Sequence, residues 1–125
     1  MPELSRPEIE FPGGEPPADL VSEDVVVGDG PEATRGKTVS CHYVGVAHST
    51  GEEFDASWNR GQALDFRLGV GQVIAGWDQG IEGMKVGGRR KLVIPAHLAY
   101  GDRGAGSAIT PGETLIFVVD LVAVR

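Results

Sequence analysis

The sequence has few of the features that mark secreted, membrane-spanning or disulfide-bonded proteins. It contains a single cysteine, Cys41, so no disulfide forms within the chain, and a reducing compartment such as the cytoplasm is expected. No apolar run approaches the roughly 18 residues of a membrane-spanning helix, because the longest, 115–119, stops at Asp120. The first twenty residues lack a basic region and an apolar region, which does not fit a signal peptide. We therefore expect no membrane contact.

An excess of basic charge is also lacking. Nine of the 18 acidic residues lie within residues 1–32 beside one base, Arg6, and the remaining chain is nearly neutral. The sequence thus gives no electrostatic support for nucleic-acid binding. Its one basic run, 89–91, stands directly before apolar residues and is interpreted as a solvated strand entry rather than a phosphate-binding patch.

The usual catalytic motifs are missing as well. The three histidines have no helical spacing that would let two of them bind one metal ion, so neither a metal site nor a cofactor is expected. Cys41 falls on the apolar face of a predicted strand and is interpreted as a core residue, because no general base lies near it in sequence. Conventional nucleophilic and metal-assisted reactions therefore lack their components.

The chain length of 125 residues suits one domain preceded by an arm. Prolines at positions 2, 7, 12, 16 and 17 disfavour a helix, and acidic residues lie between them. We therefore assign 1–19 to an extended, proline-rich acidic arm and 20–125 to the domain. The arm has little apolar surface, so its removal is expected to leave activity and most of the stability intact.

Most of the domain shows the two-residue periodicity of strands. The predicted strands are 25–27, 37–46, 64–68, 91–94 and 114–124. One segment has helical periodicity instead, with Ile74, Trp77, Ile81 and Met84 on a single apolar stripe. Glycines inside this helix cost about 1 kcal/mol each relative to alanine, so packing under a sheet is needed to keep it formed. The pattern predicts an α+β fold with an antiparallel sheet.

Six short blocks occur in an order that resembles a known family. They are HYVG at 42–45, EFDAS at 53–57, GQVIAGW at 71–77, GMKVG at 83–87, AYG at 99–101 and TLIF at 114–117. In sequence and spacing they resemble the FKBP-type peptidyl-prolyl cis-trans isomerases, the immunophilins that bind tacrolimus and rapamycin. The resemblance runs from about Leu20 to Arg125.

This resemblance implies a fold and an activity. The fold would be a half-barrel of five or six antiparallel strands wrapped around one short helix. The activity would be rotation about Xaa-Pro peptide bonds in a hydrophobic pocket, assisting protein folding without a cofactor. Proline-containing polypeptides would be the substrates, macrolides of the tacrolimus and rapamycin type would be ligands, and the protein would be a monomer. The alternative is a non-catalytic adapter or holdase that uses the same pocket.

The resemblance also implies which residues form the site. Trp77 would be the pocket floor, the Ile74 amide and the Tyr100 hydroxyl would donate hydrogen bonds to substrate, and Arg60 would pair with Asp55. The residues assigned to catalysis are Tyr43, Asp55, Trp77, Tyr100 and Phe117. The residues assigned to substrate binding are Phe54, Arg60, Leu64, Phe66, Gln72, Val73, Ile74 and Ile109.

Some of these residues have a competing interpretation, and two positions and one loop depart from the family pattern. Taken singly, the Trp, Tyr and Phe residues also suit core positions, Phe66 above all, and Asp55 also suits a solvated turn. Leu64 replaces a common aromatic wall, Gln72 replaces a common acid, and small residues occupy the loop from Ala105 to Ala108. The affinity for macrolides is therefore less defined than the catalytic activity.

Overall fold

The computed structural model describes residues 5–9, 14–105 and 109–125. The strands in this part of the chain are β1 (Val21–Val26), β2 (Thr38–Ala47), β3 (Glu53–Ala56), β4 (Leu64–Arg67), β5 (Arg89–Ile94) and β6 (Leu115–Val124). The helix α1 (Ala75–Ile81) joins β4 to β5, and short 3-10 helices occupy Ser57–Arg60, Ala96–Leu98 and Gly101–Arg103. None of the helices in the described residues is long and apolar enough to cross a membrane.

All strand pairs of the sheet are antiparallel, in the order β1-β5-β6-β2-β3, with β4 also paired to β2. The predicted α+β fold with one short α-helix against an antiparallel sheet is therefore confirmed. The short strand β3 was not predicted, because 53–56 has no clear alternation of apolar and polar residues. The first strand was placed too late, since β1 begins at Val21 rather than at residue 25.

The two central strands, β2 and β6, are buried on both faces. Their inner residues, such as Cys41 and Val119, belong to the hydrophobic core under α1. On the outer face, Val44, Ile116 and Val118 are also buried, although they lie outside this core cluster. Burial of both faces explains why β6 is a nearly continuous apolar run.

The helix α1 approaches the sheet closely at its glycines. A Cβ atom added to Gly76 would lie 2.4 Å from Cγ2 of Ile94, and one added to Gly80 would lie 2.6 Å from Cδ2 of Leu92. The glycines that weaken the helix as an isolated segment are thus what allow it to pack on β5. The predicted stripe extends further than the helix does, because α1 ends at Ile81 and Met84 is buried in the turn that follows.

Replacing Gly76 with alanine is expected to lower the free energy of unfolding by about 1–2 kcal/mol. A contact as close as 2.4 Å puts the overpacking cost at the upper end of its range of about 1–3 kcal/mol, so about 1–2 kcal/mol remains after the gain of about 1 kcal/mol in helix propensity. Urea unfolding followed by tryptophan fluorescence measures the change. The matched control is Gln79→Ala, on the exposed side of α1, which is expected to stay within about 0.5 kcal/mol of wild type. Equal stability of the two variants would contradict the close contact.

The arm does not lie free in solvent. Arg6 forms an ion pair with Glu53, and Arg89 donates a hydrogen bond to the backbone carbonyl of Ser5. Pro7 is buried as well, so residues 5–7 of the arm contact the domain although the arm has little apolar surface. Phe11, a large apolar residue of the arm, lies outside the described residues. The boundary at residue 20 stays a prediction.

The basic run does enter a strand, since β5 begins at Arg89, but the expectation that it is solvated is wrong for Arg89 and Arg90. Arg89 donates to both carboxylate oxygens of Asp120, at 2.6 and 2.8 Å, and both side chains are largely buried. Arg90 donates to Asp24 and to the carbonyl of Gly80 at the end of α1. These arginines therefore tie neighbouring elements together within the fold.

Candidate functional site

A hollow of about 410 Å³ opens between the inner face of the sheet and α1. Its walls come from four strands, the start of the helix and the loop after β5. The lining residues are Tyr43, Phe54, Asp55, Leu64, Gln72, Val73, Ile74, Trp77, Tyr100 and Phe117. We call this the aromatic hollow.

Its floor is a packed set of aromatic rings. The ring of Trp77 lies 4.9 Å from that of Tyr43 and 5.2 Å from that of Phe117, both edge to face. Phe117 in turn meets Phe54 at 5.5 Å. Gly45 makes room for these rings, because a Cβ atom there would lie 2.7 Å from both phenylalanines. Edge-to-face packing fixes the ring positions, so the floor is rigid and apolar.

One ionised group lies in this apolar setting. The hydroxyl of Tyr43 donates to Oδ2 of Asp55 at 2.6 Å, and Nη1 of Arg60 donates to Oδ1 at 2.8 Å. Nη2 of Arg60 also donates to the Tyr43 hydroxyl oxygen at 2.9 Å. The three side chains form a closed triangle of hydrogen bonds, which fixes the position of the carboxylate at the edge of the hollow.

These contacts set the charge of the carboxylate. Partial burial acts to raise the pKa of Asp55, but the hydrogen bonds from Tyr43 and Arg60 outweigh it and hold that pKa below its usual value. The pKa of Tyr43 is raised, because burial and the bond to Asp55 both favour the neutral phenol. At neutral pH the site therefore holds a carboxylate, a neutral phenol and a guanidinium.

The loop before α1 forms part of the rim of the aromatic hollow, and it is held by a residue that the sequence analysis missed. Asp78, in the first turn of the helix, accepts hydrogen bonds from the backbone N–H groups of Gly69 and Gly71. Those contacts shape the loop that presents Val73 and Ile74 to the hollow. The sequence feature that could have revealed this contact is a pair of glycines followed by an acidic residue in the first turn of a predicted helix.

Two potential hydrogen-bond donors on the rim are free among the described residues. None of the hydrogen bonds found there involves the backbone N–H of Ile74 or the hydroxyl of Tyr100. Gln72 differs, since its Oε1 accepts from the backbone N–H of Arg67 at 2.8 Å. Its side chain is thus held against β4 while lining the hollow.

The structure brings together ten of the thirteen residues assigned to the site from sequence. Arg60 reaches the hollow only through its bonds to Asp55 and Tyr43. Phe66 is 5% exposed and lies in the core cluster beside Trp77, as its competing interpretation has it. Ile109 is also buried in that cluster, paired with Ala105, and the loop residues 106–108 lie outside the described part of the chain. The roles of all thirteen stay predictions.

Within the described residues, no group of three or more histidine, cysteine or acidic side chains is placed to hold a metal ion. Cys41 is fully buried on the inner face of β2. Burial, followed by the charges of Asp120 and Asp65, raises the pKa of its thiol well above the ordinary value. A thiol that stays protonated in the core is not a nucleophile.

An antiparallel sheet against one short helix, with an aromatic hollow between them, defines a small α+β domain with a single preformed apolar site among the described residues. A model of the FKBP-type peptidyl-prolyl cis-trans isomerase family matches residues 30–122. The chain is 74% identical to the FK506-binding protein of Streptomyces anulatus, covering 97% of this chain and 98% of that protein. It is 52% identical to the probable FK506-binding protein of Corynebacterium glutamicum, covering 96% and 99%.

A solved structure shows the same fold. The crystal structure of AtFKBP13 superposes with a TM-score of 0.80 at 46% identity, covering 88% of this chain and 96% of that one. The protein therefore belongs to the FKBP-type peptidyl-prolyl cis-trans isomerases.

Proposed function

We propose that Xaa-Pro bonds rotate within the aromatic hollow, with the proline ring against Trp77. The partial double bond of the amide sets a barrier of about 18–20 kcal/mol. The planar amide is more dipolar than the twisted one, so an apolar site disfavours the planar form and lowers that barrier. No covalent bond forms, and no proton is transferred.

The polar groups at the rim would hold the substrate during rotation. The free Ile74 N–H and Tyr100 hydroxyl would donate to carbonyl oxygens of the peptide. Asp55 would orient the twisted amide electrostatically, because its carboxylate is fixed by Tyr43 and Arg60. The observation that carries this assignment is an ionised carboxylate locked at the edge of a hollow with an aromatic floor.

The test is exchange spectroscopy on an Xaa-Pro tetrapeptide at equilibrium, with a chelator present. The protein alone is expected to accelerate cis-trans exchange, and apolar Xaa residues are expected to react fastest because of the apolar surface of Phe54 and Phe117. An unchanged exchange rate at high protein concentration would support the adapter alternative instead.

The activity is expected to be independent of pH between about 5 and 9. Asp55, with a pKa below its usual value, is already ionised in this range, and Tyr43, with a raised pKa, stays neutral. The stability that the Asp55 contacts contribute is lost only as pH falls through its lowered pKa. Rates measured across this range on one peptide check the expectation. A bell-shaped profile within it would show that another ionisation controls the reaction.

The hollow is also proposed to bind macrolides of the tacrolimus type, an activity named in the Streptomyces and Corynebacterium relatives. Titration of tacrolimus against tryptophan fluorescence tests this, since Trp77 forms the floor. We further propose a monomer located in the cytoplasm, where the single buried Cys41 would stay reduced. Sedimentation of the purified protein tests the monomer, and cell fractionation tests the location.

A further inference from the structure

A second hollow lies directly beside the first. It measures about 260 Å³ and is lined by Arg60, Gln62, Ala63, Leu64 and Asp65. Leu64 also lines the aromatic hollow and is the only described residue common to both. Its side chain, 37% exposed, is therefore the partition between the two. We call the second space the side hollow.

The side hollow is connected to the site through Arg60. This arginine lines the side hollow but not the aromatic one, and its side chain is 51% exposed. The bonds to Asp55 and Tyr43 use one N–H on each of Nη1 and Nη2. A guanidinium has five N–H groups, so three remain available to a ligand.

The other polar groups decide what ligand fits. Asp65 is partly engaged, because its Oδ1 accepts from the Ser40 hydroxyl and its Oδ2 lies 3.2 Å from Nη2 of Arg125, while its side chain is 58% exposed. Gln62 is exposed and contributes an amide. Arg60 and Asp65 carry opposite charges, so the side hollow offers donors and an amide with no net charge. It suits neutral hydrogen-bonding groups, such as a main-chain amide or an asparagine or glutamine side chain.

We propose that the side hollow binds a residue flanking the Xaa-Pro pair of polypeptide substrates and selects for a neutral polar side chain there. This inference rests on the proposed use of the aromatic hollow for the Xaa-Pro bond. A polypeptide bound in that hollow has to leave it on both sides of the bond. A chain that crosses Leu64 enters the side hollow, where Arg60 and Gln62 bind its carbonyl and side-chain oxygens.

The experiment fills the side hollow and compares short with long substrates. Ala63 is half-buried and does not line the aromatic hollow, so Ala63→Phe blocks the side hollow alone. Two peptides extend one tetrapeptide by three residues, one on the amino side and one on the carboxyl side. The wild type is expected to show a higher kcat/KM for one extended peptide. Ala63→Phe is expected to lower kcat/KM for that extended peptide by about three- to tenfold, mainly through a higher KM. Its kcat/KM for the tetrapeptide is expected to equal that of the wild type.

Two further variants make the result interpretable. Val122→Phe adds the same ring at a half-exposed position on β6 and is expected to match wild type on all three peptides. Gln62→Ala removes the amide without adding bulk, so it tests the proposal even if Ala63→Phe folds poorly. It is expected to reduce the preference for asparagine over alanine, glutamate and lysine at the flanking position.

Three outcomes would overturn the proposal: equal loss on short and long peptides in Ala63→Phe, no loss on either extended peptide, or a wild type without flanking preference. Failure of the proposed function is distinguishable, because the wild type would then be inactive on the tetrapeptide itself.

Discussion

Replacing Asp55 with leucine is expected to reduce kcat/KM for a tetrapeptide by about 10–100-fold while the protein stays folded. Hydrogen bonds to a charged group contribute about 1.5–3 kcal/mol, and each 1.4 kcal/mol corresponds to tenfold in rate. The fold is expected to persist because the Asp55 and Arg60 side chains are 42% and 51% exposed, so water solvates Arg60 once its partner is removed. Exchange spectroscopy measures the rate, and tryptophan fluorescence verifies folding. The same variant is expected to bind tacrolimus more weakly.

The matched control lies two residues away on the same strand. Glu53 lies on β3 as Asp55 does, but it is absent from the lining of the aromatic hollow and pairs with Arg6 of the arm. Glu53→Gln is expected to keep the wild-type rate and tacrolimus affinity. If Asp55→Leu matches wild type in both measurements, Asp55 has no role in the site, and its carboxylate serves only to order the side chain of Arg60.

Replacing Asp120 with alanine is expected to lower the free energy of unfolding by about 3–5 kcal/mol. The variant leaves Arg89 largely buried without its carboxylate, because the two side chains are only 13% and 7% exposed. A loss of that size is a large part of the 5–15 kcal/mol typical of a domain. Urea unfolding at neutral pH measures it.

A second ion pair from the same basic run supplies the control. Arg90 pairs with Asp24, whose side chain is 42% exposed, so Asp24→Ala is expected to cost less than about 1 kcal/mol. The double variant Arg89→Met with Asp120→Leu is expected to recover much of the lost stability, because it removes both buried charges. Similar stabilities for Asp120→Ala and Asp24→Ala would show that the Arg89 pair is solvated after all.

The aromatic floor could be predicted because its residues belong to two features of the sequence. One is the periodic spacing of apolar residues, and the other is the order of the six blocks along the chain. The helical stripe through Ile74, Trp77 and Ile81 identified α1, and the six blocks identified the walls of the hollow. Phe66 was assigned to the site from the family resemblance, although it is buried beside Trp77 in the core. Strand periodicity could not decide between the two positions, because it does not distinguish a residue that lines a cavity from one that lies just beneath it.

Contacts between distant segments were not predictable from a local pattern. The arm is acidic and rich in proline, yet Arg6 meets Glu53 and Arg89 meets Ser5 across long sequence separations. The buried pair of Arg89 and Asp120 depends on the antiparallel register of β5 with β6, in which these residues are direct partners. Register follows from the tertiary arrangement, so the local sequence pattern led to the wrong interpretation of the basic run as solvated.

The burial of β2 and β6 on both faces has a consequence for hydrogen exchange. These strands pair from Val39 opposite Val124 to Ala47 opposite Leu115, with each flanked by further strands. The amide protons of the buried residues in these two strands are shielded from water, so they exchange only when the whole domain opens. The Gly69 and Gly71 amides, bonded to the half-buried Asp78 at the rim, can exchange through local opening of the loop. The slowest amides therefore report global stability, and the rim amides report how often the entrance to the hollow rearranges.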